Sequence, residues 1–125
     1  MEYIIHKDFN TKAICGEVNL PTGTVCNEYS GYICHKGKAL CVNRSENAFQ
    51  HFARNDDGNG LKRGELIRTI KDTLIGNEEA WERVWEDEEC AKFNRNGDGD
   101  TWLWNFDFYN AEIEELERIA ELIKG

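Results

Sequence analysis

The sequence predicts an α+β protein: a small curled β-sheet or barrel over residues 1–45, then three to four helices over residues 46–125, packed together as one domain. Three observations predict it. Residues 1–45 consist of short runs rich in Tyr, Ile, Val, Thr and Cys, broken by Gly, Pro, Asn and Ser turn signals. From residue 46 onward, apolar residues recur at spacings of three and four behind Ser or Asn residues placed to cap helices. At 125 residues, with 40% hydrophobic and 11% aromatic residues, the chain can build one core and is short for two.

Taken in order, Tyr3-Ile4-Ile5-His6 opens the β part, and Lys12-Ala13-Ile14-Cys15 runs on through Val18. Leu20-Pro21-Thr22-Gly23 follows as a type I turn, because proline suits its second position and glycine its fourth. Thr24-Val25-Cys26 and Tyr32-Ile33-Cys34-His35 come next, separated at Ser30-Gly31, and Lys36-Gly37 is a short hairpin connection into Lys38–Val42. Ser45 caps a helix over Glu46–Arg54, with Ala48, Phe49 and Phe52 facing inward. A helix from Leu61 to Ile75 shows the stripe Ile67, Ile70 and Leu74, and Gly76 stops it. Asn77 caps a third helix that Trp81, Val84 and Trp85 make amphipathic. Trp102, Trp104, Phe106 and Phe108 alternate as in a strand, and core packing or a protein-contact patch both account for them. Asn110 caps a last helix with the stripe Ile113, Leu116, Ala120 and Ile123.

Charge is unevenly distributed. Residues 1–45 hold five Lys/Arg and four Asp/Glu, whereas residues 77–125 hold fifteen acids against five bases, a net of −10 within a total of −9. Such a surface repels phosphate, which argues against direct nucleic-acid binding and in favour of a basic protein partner. The candidate interaction residues are Glu82, Glu86, Asp87, Glu89, Glu114, Glu117 and Glu121. An acidic mimic of DNA is the sharper version of this reading. No apolar run reaches signal-peptide or membrane-spanning length, so the expectation is a soluble cytoplasmic protein that does not engage membranes.

The stretch from Asn55 to Glu65 is the densest in turn chemistry. Asn55-x-Asp57-x-Asn59-Gly60 and Asn94-x-Asn96-x-Asp98-Gly99 each set side-chain oxygens at alternate positions before a glycine, like the first half of a calcium-binding EF-hand loop. Asn55, Asp57 and Asn59 are therefore the candidate ligands for calcium or another divalent cation. The second half of the loop departs from that pattern. Lys62 and Thr101 replace the hydrophobic residue, and Leu66 and Asn105 replace the bidentate Glu. The default expectation is capping and turn formation with no cofactor. His51, Phe52 and Asp57-Gly58-Asn59-Gly60 also partly resemble the Fic-family signature. His51, however, lies six residues before Asp57 where that signature has four, and Leu61 replaces its first arginine.

Five cysteines, Cys15, Cys26, Cys34, Cys41 and Cys90, show no C-x₂₋₄-C knuckle. Buried thiols on strands are the expectation; a zinc site completed by His6 or His35 is the alternative. Neighbours in a strand point to opposite faces, so Cys34 and His35 do not form a nucleophilic pair.

The segments Ile14-Cys15-Gly16, Val18-Asn19-Leu20-Pro21, Gly23-Thr24, Gly37-Lys38, Leu40-Cys41, Ser45-Glu46-Asn47-Ala48 and Phe52–Gly60 together resemble a family of small uncharacterised proteins of Gram-positive bacteria and their prophages. The similarity extends to Trp81–Asp87 and Trp102–Asn110. It implies a self-contained domain and a mobile-element setting, and it carries no catalytic residues with it. The functional expectation is a non-enzymatic protein-interaction module with an acidic face. The alternative is a cation-binding or enzymatic module built on the Asn55–Glu65 loop.

Overall fold

The structure, a computed structural model, describes residues 1–43, 45–91 and 108–124. The α+β order is as expected. Strands β1 (Glu2–Ile5), β2 (Phe9–Ala13), β3 (Gly16–Leu20), β4 (Val25–Tyr29), β5 (Tyr32–His35) and β6 (Lys38–Val42) precede α1 (Glu46–His51). After α1 come β7 (Phe52–Arg54), α2 (Gly60–Leu74), α3 (Glu78–Glu86) and α4 (Glu88–Ala91), then a 3-10 turn at Phe108–Asn110 and α5 (Ile113–Lys124). The second Asn/Asp/Gly loop, Asn94–Asp100, and the aromatic positions Trp102, Trp104 and Phe106 lie outside the described residues.

Five strands form an open antiparallel sheet in the order β6-β5-β4-β1-β7, so of the curled-sheet and barrel alternatives the sheet is not closed on itself. Strands β2 and β3 form a separate hairpin that docks on the β6 edge, Ile14 N–H donating to Leu40 O (3.0 Å) and Cys15 N–H to Ala39 O (3.1 Å). That contact supplies partners for an edge that would otherwise present unpaired backbone groups. Ser30-Gly31 and Lys36-Gly37 both have positive φ throughout, as tight two-residue hairpins require.

Four local expectations need correction. The run from Lys12 through Val18 is not one strand: Gly16 takes φ +118° and the chain reverses at Ile14-Cys15. The proline turn is Pro21–Thr24, closed by Thr24 N–H on Pro21 O at 3.2 Å, with Gly23 at φ +96° in the third position where a type II turn demands positive φ. The helix from Glu46 stops at His51. Phe52–Arg54 is instead an edge strand pairing Ile5↔Phe52, Ile4↔Ala53 and Tyr3↔Arg54, because β1 lies beside it with an open ladder. Asn110 does not cap α5. Its side-chain oxygen accepts the Tyr3 hydroxyl at 3.0 Å, while Glu112, immediately before α5, has its N–H taken by Glu115 Oε1 at 3.1 Å, one half of a capping box.

Other local readings hold. Ser45 Oγ accepts the Ala48 N–H and Asn77 Oδ1 the Ala80 N–H, and Gly76 ends α2 with φ +72°. The core joins Tyr3, Ile5 and Phe52 of the sheet to Ile67, Ile70 and Leu74 of α2, with Val84 of α3 and Leu116 and Ile119 of α5. Burying each such side chain stabilises the fold by roughly 1.5–3 kcal/mol. On α3 the inward pair is Ala80 and Val84, one turn apart. Trp81 is half-buried at its edge and Trp85 is 41% exposed.

Strand β1 also touches α2 directly. Side chains at Ile4 and His6 stand against the backbone of Gly60 and Gly64, where a Cβ would collide with Ile4 Cγ2 and with His6 Cβ and Cγ. The spacings agree, since two strand residues rise roughly 6.7 Å and four helical residues about 6 Å. Among the described residues no helix is long and apolar enough to cross a membrane.

Candidate functional site

The Asn55–Gly60 loop links β7 to α2, and its conformation is set by Arg63, one turn into the helix. Arg63 is fully buried. Its Nη1 and Nη2 donate to Asp57 Oδ1 and Oδ2 at 2.7 and 2.6 Å, Nη1 also to Arg54 O at 2.7 Å, and Nε to Ala111 O at 2.7 Å. One guanidinium thus joins β7, the loop and the approach to α5, using planar fork geometry that lysine lacks. Glu112 Oε2 stands 3.7 Å from Nη2, and its other oxygen bonds Arg54 at 2.5 Å.

All three candidate cation ligands lie in this loop, and Asn55 and Asp57 have their side-chain polar atoms turned to protein donors and acceptors. Asn55 Oδ1 accepts the Gly60 N–H at 2.8 Å, so Asn55 closes the start of α2, and its Nδ2 donates to Glu2 Oε2 at 2.7 Å. Asp57 Oδ1 additionally accepts the Asn59 N–H at 3.0 Å. Asn59 holds the N-cap position without a side-chain capping bond. The bonds from Arg63, before any other cause, hold the Asp57 carboxyl well below the usual carboxylate range. Chemically, this is a loop whose carboxylate already has a bidentate cation as neighbour. Sequence reasoning passed over Arg63. The available signal was a basic residue in the first turn of a helix, a position the helix dipole disfavours unless something specific compensates.

Helices α3, α4 and α5 carry the acidic candidates. Glu82, Glu86, Glu89, Glu114, Glu117 and Glu121 are exposed, whereas Asp87 is only half-exposed and structural. Asp87 Oδ1 accepts the Glu89 and Cys90 N–H groups at 2.9 and 3.1 Å, capping α4, and the carboxylate binds Arg118 of α5 through both oxygens. Arg118 in first place holds the Asp87 carboxyl down to about 2. Asp87 therefore fastens α4 to α5. Glu121 pairs with Lys124 at 3.0 Å, while Glu82, Glu86, Glu114 and Glu117 make no ion pair with a described residue. Between α4 and α5 lies a cleft of about 250 Å³ lined by Glu89, Glu114, Glu115, Arg118 and Ile119.

Cys26, Cys34 and Cys41 lie on the adjacent strands β4, β5 and β6, with Cys15 and Cys90 elsewhere. Among the described residues no group of three or more His, Cys, Asp or Glu side chains is arranged to hold a metal ion. Cys26 and Cys41 are buried on β4 and β6 and Cys90 in α4, with Cys34 half-buried and Cys15 exposed at the β2–β3 turn. Burial pushes the Cys26 thiol up to about 12 and those of Cys41 and Cys90 to about 11, so these three remain protonated and unreactive at neutral pH. His35 Nδ1 lies 3.3 Å from Val25 O.

No family model, no curated protein and no solved structure matches the chain.

Proposed function

We propose that the protein is a non-enzymatic interaction module whose acidic helical face, on α3, α4 and α5, receives a basic protein partner, in the phage-related setting implied by the sequence resemblance. The observation that carries this reading is the set of exposed carboxylates at Glu82, Glu86, Glu114 and Glu117, which form no ion pair with a described residue. Rim carboxylates of this kind steer a cationic partner and set its on-rate more than they add final affinity. Phosphate backbones are disfavoured by the same field.

The test is capture from a host lysate with wild-type protein and with a Glu82→Lys, Glu86→Lys, Glu114→Lys, Glu117→Lys variant. Partners are then joined by a zero-length carboxylate–amine cross-linker and mapped. Capture should weaken at high salt and disappear in the variant, with cross-links at these four residues in the wild type. Capture that is indifferent to the reversal, or cross-links confined to the sheet, would refute the assignment.

A further inference from the structure

His6 follows β1 and is 2% exposed, yet neither ring nitrogen meets a hydrogen-bonding partner among the described residues. Buried polar atoms are almost always paired, so two orphaned nitrogens on one ring call for a reason. The ring lies against the Gly64 backbone of α2, too close for even a methyl group between them. Backbone bonds hold its frame: His6 N–H donates to His51 O at 2.9 Å, and Arg68 Nη1 donates to His6 O at 2.5 Å.

Every charged or titratable group facing the ring is cationic or becomes so in acid. From α2 these are Arg68 and Lys71, and from α1 it is His51. His51 is itself 9% exposed, with Nδ1 3.1 Å from Lys7 O and its ring edge-on to Phe9 at 4.9 Å. Lys7 adjoins in sequence, while the neighbouring carboxylate of Asp8 is turned to Thr22 through bonds of 2.7 and 2.8 Å. From β7 the Phe52 backbone favours the charged ring, the smallest of the effects on it.

We propose that His6 is an acid-sensitive latch, which in its uncharged form closes α2 onto β1 and on protonation drives the helix away from the strand. An imidazolium here would have only the Phe52 backbone to favour it, against burial and the like charges of Arg68, His51 and Lys71, and Gly64 leaves the ring no room to turn. Burial first, then Arg68, His51 and Lys71, lowers the His6 pKa from 6.5 to about 4. The unfolded chain therefore takes up the proton at higher pH than the folded one. The latch contributes fully above about pH 6.5 and its contribution is lost as pH falls toward about 4, raising the unfolding constant on the order of 100-fold.

The experiment is urea unfolding of the full chain and of a His6→Phe variant at neutral pH and at about pH 4.5, with an NMR titration of the wild-type ring. Between the two pH values the wild type should lose on the order of 100-fold more of its folding constant than the variant, the difference being the His6 contribution. Equal losses in both proteins, or a folded-state ring midpoint near 6.5, would overturn the proposal. Should His6→Phe fail to fold, the ring titration stands, joined by amide exchange of the wild type as pH is lowered. Amides of β1 and α2 must then lose protection ahead of those in β4, β5 and β6. Loss that is uniform across the chain, or protection that is retained in α2, contradicts the latch.

Discussion

Replacing Asp57 with alanine tests the Arg63 clamp most directly. The variant leaves a fully buried guanidinium without its counter-ion and removes two charge-assisted bonds of 2.7 and 2.6 Å. Breaking a buried pair in this way costs about 3–5 kcal/mol. Two features reduce that figure here. The Asp57 side chain is 38% exposed, so solvent already screens part of the attraction, and Glu112 Oε2 at 3.7 Å remains as a partial partner. The expected loss is about 2–3 kcal/mol, or roughly 10 °C in Tm for a domain of this size.

A double variant with Arg63→Met would strand no charge, although it leaves Ala111 O and Arg54 O without their donor. It should therefore be no less stable than Asp57→Ala alone, a strongly non-additive result. Urea unfolding followed by tryptophan fluorescence, with calcium and with chelator, measures all of these. A near-neutral Asp57→Ala in chelator, together with a wild type that gains stability from calcium, would refute the clamp and favour a cation site at Asn55, Asp57 and Asn59.

Two further outcomes follow from the packing. Gly64→Ala would ordinarily stabilise a helix interior by about 0.5–1 kcal/mol; here it should instead destabilise by about 1–3 kcal/mol, because the new methyl collides with His6, and thermal unfolding reads the sign. Thiol labelling of the native protein at neutral pH, followed by mass spectrometry, should modify Cys15 first and leave Cys26, Cys41 and Cys90 intact until denaturant is added. Rapid modification of Cys26 or Cys41 would contradict their burial in the sheet.

The signals readable in the sequence were those that act over a few residues. Lys36-Gly37, Ser45, Gly76 and Asn77 each specify a turn, cap or stop through their own backbone preference or side-chain reach, and each does so in the structure. The stripe Ile67, Ile70 and Leu74 likewise shows its buried face by spacing alone. The acidic bias of the last 49 residues was equally visible, because exposure is the default for glutamate. Its exception, Asp87, depends on Arg118 thirty-one positions away.

What only the tertiary structure decided was everything set by partners distant in sequence. Phe52–Arg54 extends because β1, fifty residues earlier, has a ladder to fill, and Asn110 abandons a cap because Tyr3 reaches it. Arg63 is buried because Arg54, Asp57 and Ala111 meet around it, and His6 loses its water because α2 carries glycine where the ring must lie. Local propensity amounts to a few tenths of a kcal/mol up to about one per residue, whereas a buried charge or an unpaired backbone group is worth several times that. Where the two conflict in this chain, the long-range partner prevails.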